Sequence, residues 1–213
     1  MSYFFYTLIP LEFLLQFLLD KVSFPISDIV LASLSDKFIG IFIPFLVLLI
    51  TGRKFLTAEW QKVGSKKSLF LAILLGLVSI GIIAYLFSLI IYVPVSEQEI
   101  TITKVTPLII LLSTSSVMAA FSEEITFRYL FLKHFSSNSL KSWLLLIFSS
   151  ILFGYLHIFV TQSWVATIPY MFFGLVLGIQ YIRHKNIWYP IGIHVVSNFI
   201  NSILPLIMLY IRQ

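Results

Sequence analysis

Two adjacent glutamates followed four residues later by an arginine, Glu123-Glu124-Ile-Thr-Phe-Arg128, stand in a long apolar stretch, and later apolar stretches hold His157, His194 and Asn198. Carboxylate, imidazole and carboxamide groups move protons and stabilise developing anions, so together they can carry a hydrolysis by water. An ionisable side chain near a bilayer centre costs roughly 2.5–3.5 kcal/mol on insertion scales, which makes such a cluster a functional-site hypothesis by default. On a helix, positions four apart are neighbours. Glu124 therefore faces Arg128 and can neutralise it, whereas Glu123 is turned about 100 degrees away and suits a general base or acid. The competing reading places all three charges at a cytoplasmic helix end, snorkelling to water.

His157 closes the run Phe153-Gly-Tyr-Leu-His157, about 21 Å along its helix and so well inside the membrane. His194 and Asn198 are four apart and share one helix face, with Asn201 a turn further on. A lone histidine in an apolar helix is ordinarily a hydrogen-bonded packing residue; two of them, with an asparagine and a carboxylate cluster in the same half of the chain, point to a site. Other hydrolase patterns are missing. Asp20, Asp28 and Asp36 all precede the third apolar span, so there is no pair of membrane aspartates. Neither His-Glu-x-x-His nor Gly-x-Ser-x-Gly occurs. Ser115, Ser116 and Ser122 read as packing residues with local hydrogen bonds. Without cysteine, the chain has no disulfide, thiolate ligand or cysteine nucleophile.

The elements that must position these groups are membrane helices. Of 213 residues, 59% are hydrophobic and 21 are Phe, against about 45–50% apolar residues in soluble domains. On a ruler of about 20 apolar residues per crossing, there are seven candidate spans, near 2–19, 36–52, 68–93, 106–134, 143–161, 165–182 and 187–210. The fold class is thus an all-α polytopic membrane protein, a bundle of about seven transmembrane helices. One membrane domain comprises N-terminal helices without motif (1–105) and a motif-bearing part (106–210). The first stretch, Tyr3 to Leu19, lacks a basic leader and a small-residue cleavage pattern and reads as a retained span.

The connection from Thr51 to Lys67 carries Arg53, Lys54, Lys62, Lys66 and Lys67 and marks the cytoplasmic side, as an anchor of topology or as a segment dipping Phe55, Leu56 and Trp60 into headgroups. Ten of the 14 Lys and Arg residues, Arg128 among them, then fall inside, and Glu97, Glu99 and Lys104 fall outside. The net charge of +5 sets orientation and gives no support for nucleic-acid binding. Gly76, Gly81, Gly174 and Gly178 are candidates for helix contacts.

With these residues in view, the chain resembles the CPBP family of intramembrane proteases, also called the Abi or CAAX-protease-like family. Its Glu-Glu-x-x-x-Arg is similar to Glu123-Glu124-Ile-Thr-Phe-Arg128, its Phe-x-x-x-His to Phe153-Gly-Tyr-Leu-His157, and its His-x-x-x-Asn to His194-Val-Val-Ser-Asn198; Phe173 to Gly178 resembles its penultimate helix. The resemblance covers roughly residues 106–202. It implies an endopeptidase in which Glu123 activates water, His157 holds that water or a metal, His194 and Asn198 stabilise the oxyanion, and Glu124 and Arg128 are scaffolding. A divalent metal such as zinc, held by Glu123, His157 and His194, stays open beside a metal-free mechanism. The implied partners are the lipid bilayer and a membrane-associated peptide or protein substrate, in CAAX processing or in bacteriocin processing and immunity, in a bacterial cell membrane. The rival class is a non-catalytic membrane protein, an immunity factor, partner-binding subunit or transporter, that uses the buried cluster for binding.

Overall fold

The computed structural model describes residues 5–19, 21, 29–90 and 104–213, and among these the regular structure is entirely helical. Hydrocarbon offers no partner for a backbone amide or carbonyl, so a chain this apolar satisfies its backbone within helices. The helices are α1 (Leu8–Leu19), α2 (Ile29–Thr51), α3 (Arg53–Gln61), α4 (Lys66–Ile90), α5 (Pro107–Ser113), α6 (Ser115–Glu124), α7 (Leu140–Leu156), α8 (Ile158–Thr161), α9 (Trp164–His184), α10 (Trp188–Asn198) and α11 (Leu204–Arg212). Two π-helical segments, Ile125–Leu130 and Phe199–Ile203, continue α6 and α10.

Six helical stretches among the described residues are long and apolar enough to cross a membrane, and α1 is a shorter apolar helix. The protein is an all-α polytopic membrane protein. Large apolar side chains lie open on α4, among them Phe70 at 65% and Ile90 at 81% exposure. Such a surface is a liability in water and a fitting one against lipid. The second span begins at Ile29, ahead of Asp36 and Lys37, rather than at Asp36. The segment expected outside with Glu97 and Glu99 lies outside the described residues. The basic connection is not extended chain: α3 occupies most of it, burying Leu56 and Glu59 and leaving Trp60 exposed.

The described residues group into two compact units. The first draws on Met1–Thr57, Glu97–Glu123 and His194–Gln213, the second on Ala58–Ser96 and Glu124–Ile193. In the first, α1 lies close on α2, because a Cβ at Gly40 would come within 2.7 Å of Gln16 Cγ. Phe45 of α2 meets Phe121 of α6 edge-on at 5.2 Å. Thr106 caps α5 by accepting from the Ile109 amide, and Pro107 occupies the first turn, where no amide is needed. The hydroxyls of Ser113, Thr114 and Ser116 all donate back to helix carbonyls at 2.6–2.9 Å. Back-bonding of this kind bends helices, and here it falls where α5 gives way to α6.

In the second unit, α7 and α9 touch along small residues. A Cβ at Gly154 would lie 2.5 Å from the Met171 backbone nitrogen, and one at Gly174 would lie 3.2 Å from Ser150 Cα. Gly178 faces the flexible end of Leu146, Gly76 faces the Ile193 side chain, and Gly81 meets nothing within 4 Å. Of the four glycines expected at helix contacts, Gly81 is therefore not at one inside the described structure. Gly154→Ala forces two backbones apart and is expected to destabilise the protein by about 1–3 kcal/mol. Gly81→Ala should be neutral or slightly stabilising through helix propensity. Thermal unfolding of both variants in detergent checks the contrast.

Candidate active site

Glu123, His194 and Asn198 come together in the first unit. Glu123 stands in the last α-helical turn before the Ile125–Leu130 π segment, and Asn198 in the last turn before the Phe199–Ile203 π segment. Widened turns of this type re-aim side chains and concentrate at functional sites. Glu123 Oε2 lies 3.8 Å from His194 Nε2; the Glu123 side chain is 20% exposed and that of His194 2%. Glu123 Oε2 is itself buried and makes no hydrogen bond among the described residues. At 3.8 Å the two groups are too far apart to bond directly, yet an oxygen atom about 2.8 Å from each can touch both. Asn198 Nδ2 donates to the Ser116 carbonyl at 2.6 Å. An amide nitrogen carries two protons, so this bond fixes the group and leaves one N–H for a ligand. Asn201 turns to its own helix instead, donating to Ser197 O at 2.9 Å.

Glu124, Arg128 and His157 belong to the second unit. Arg128 Nε sits 3.1 Å from Glu124 Oε2, with side-chain exposures of 1% and 0%. The snorkelling alternative fails for this pair, and Arg128 leaves the count of inner-side loop charges that set topology. Arg128 Nη2 also donates to Gly174 O at 3.3 Å, and the guanidinium lies 4.4 Å from the centroid of Phe153. A guanidinium that pairs with a carboxylate, donates to a carbonyl and lies over an aromatic ring at once spreads its charge and donors over a plane, which the ammonium of lysine does not reproduce.

His157 ends α7 as its C-cap. Its Nδ1 lies 2.8 Å from the Phe153 carbonyl. A carbonyl oxygen only accepts, so Nδ1 carries the proton and Nε2 is the basic nitrogen of the neutral ring. The ring stacks on Tyr170 at 4.2 Å and 22°, and packs against Phe153 at 4.8 Å. Phe153 thus serves Arg128 with its face and His157 with its carbonyl. Tyr170 belongs to none of the three motifs.

Among the described residues no group of three His, Cys, Asp or Glu side chains is placed to hold one metal ion. Of the three residues named for a metal, Glu123 and His194 belong to the first unit and His157 to the second.

The fold and these groups define a polytopic membrane protein in which the Glu123 carboxylate, the His194 imidazole and the Asn198 carboxamide are gathered within the first unit. Residues 104–200 match the family described as "Type II CAAX prenyl endopeptidase Rce1-like", in agreement with the resemblance of that segment to the CPBP or Abi family of CAAX proteases. No curated protein and no solved structure matches the chain. The family matched by that segment is one of peptidases.

Proposed function

We propose that the protein is an intramembrane endopeptidase in which Glu123 is the general base and His194 and Asn198 form the oxyanion site. The observation that carries this reading is the 3.8 Å approach of Glu123 Oε2 to His194 Nε2, with Asn198 one turn along the same helix. A water on Glu123 attacks the carbonyl carbon of the scissile peptide, forming a C–O bond as its proton passes to the carboxylate. The carbonyl oxygen takes up the electron pair as an oxyanion, facing the Nε2–H of His194 and the second N–H of Asn198. Collapse breaks the C–N bond, and the leaving amine takes the proton from Glu123. Preorganised donors aimed at such an oxyanion are worth roughly 10²–10³ in rate each. His157 is carried as the water-holding imidazole on the family motif, supported by a tautomer that makes Nε2 basic. Glu124 and Arg128 hold the backbone that bears the site.

The substrate class follows the family: a membrane-associated peptide or protein, with a prenylated Cys-a-a-X terminus as first choice and small unlipidated membrane peptides as second. Mass spectrometry of both classes after incubation with the protein in liposomes tests this. Paired fragments whose masses sum to substrate plus one water, confined to prenylated peptides, support CAAX processing; fragments from the unlipidated set alone reassign the substrate; no fragments from either, with peptide bound, contradict the peptidase.

The stacking of Tyr170 on His157 gives a separate expectation. Tyr170→Phe keeps the ring and should leave kcat near wild type, whereas Tyr170→Ala frees the imidazole and should lower kcat by about 10- to 100-fold, the scale of a small misplacement of a reacting group. Steady-state kinetics on the cleaved substrate separates the two.

A further inference from the structure

Glu12 is a second buried carboxyl of the first unit, and the mechanism above does not use it. Its neighbours on α1 face outward, Phe13 at 38% and Leu14 at 53% exposure, while Glu12 is 6% exposed. A carboxyl that turns away from lipid requires a partner inside. That partner is Ser122, whose hydroxyl bonds Glu12 Oε1. Ser122 Oγ is also 3.0 Å from the Ala119 carbonyl one turn back, so the hydroxyl is held between its own helix and α1. Ser122 is 1% exposed.

Position gives this bond its meaning. Ser122 precedes Glu123, and the helix changes from α to π three residues later, at Ile125. A side chain next to such a change of register points wherever the last α turn is fixed. α1 is itself fixed by its close approach to α2 at Gly40. A tie from α1 to Ser122 therefore sets the turn that aims Glu123 at His194.

We infer that Glu12 is a positioning residue for Glu123, acting through its hydrogen bond to Ser122. The inference rests on the peptidase reading and adds to it a residue from the part of the chain that carries no motif. Glutamine offers both a donor and an acceptor with the shape of the acid, so Glu12→Gln keeps the tie. Alanine at either end removes it.

The test is steady-state cleavage by the reconstituted wild type, Glu12→Gln, Glu12→Ala, Ser122→Ala and Glu123→Gln, with thermal midpoints measured on the same preparations. Glu12→Ala and Ser122→Ala should each lower kcat by about 10- to 100-fold with KM within about twofold. Glu12→Gln should stay within about threefold of wild type, since its bond survives. Wild-type kcat in both alanine variants overturns the inference. So does a loss in which kcat and thermal midpoint fall while KM rises, which marks a merely structural residue, and so does a Glu12→Gln protein as slow as Glu12→Ala. If Glu12→Ala does not fold, Ser122→Ala and Glu12→Gln decide alone. A wild type no more active than Glu123→Gln sinks the peptidase reading itself, an outcome distinct from an active wild type with active Glu12 variants.

Discussion

Glu123→Gln is expected to lower kcat by roughly 10²–10⁴-fold, the usual loss for a general base, with abundance, thermal midpoint and substrate binding unchanged. Glutamine keeps the volume and loses the basicity. The buried Glu123 Oε2 makes no hydrogen bond among the described residues, so the change breaks no hydrogen bond at that oxygen. Clean separation of turnover from stability follows from that. A partner-binding or transport role predicts another pattern, in which Glu123→Gln is nearly silent and the damage comes from unpairing Glu124 or Arg128. Size-exclusion profiles and peptide affinity measured beside kcat distinguish the two patterns.

Arg128→Ala should destabilise the protein by about 3–5 kcal/mol, the scale for leaving one member of a buried ion pair alone. Glu124 is fully buried beside it and would keep a charge with its main counter-ion gone. Loss of the bond to Gly174 and of the contact with Phe153 adds to the damage. Arg128→Lys is not expected to rescue, because an ammonium does not reproduce the fork and the flat stacking face. Removing both charges together, Glu124→Leu with Arg128→Met, should recover much of the stability, since well-packed apolar replacements of buried pairs are often neutral or better. Unfolding in detergent measures each step. Cleavage by the recovered double variant would mark the pair as scaffold, and a folded but inactive double variant would move it into the chemistry.

What the sequence reveals here follows the physics of each signal. Hydropathy is a sum over about 20 residues, so the spans stand out, and the i,i+4 rule is local, so the Glu124–Arg128 contact is readable. The π segments are not, because an apolar run carries the 3.6-residue period of an α-helix by default and no local pattern marks the rare widened turns after Glu123 and Asn198. Asp36 and Lys37 lower local hydropathy and hide a helix that starts at Ile29. Gly154 and Gly81 look alike in sequence; only the first lies against another backbone. Glu12 had a visible signal, a single carboxylate in an apolar run, yet its partner lies 110 residues away, a pairing no local rule supplies. Tyr170 is one aromatic among many, and nothing in its neighbours announces the stack on His157.

The most direct test of the central claim is the cleavage rate of the reconstituted wild type against Glu123→Gln and His194→Ala on one peptide substrate, with bound peptide quantified in all three. Fragments from the wild type are expected, with nearly all turnover lost in both variants and peptide still bound by Glu123→Gln. Cleavage by Glu123→Gln at the wild-type rate and normal abundance would contradict the central claim.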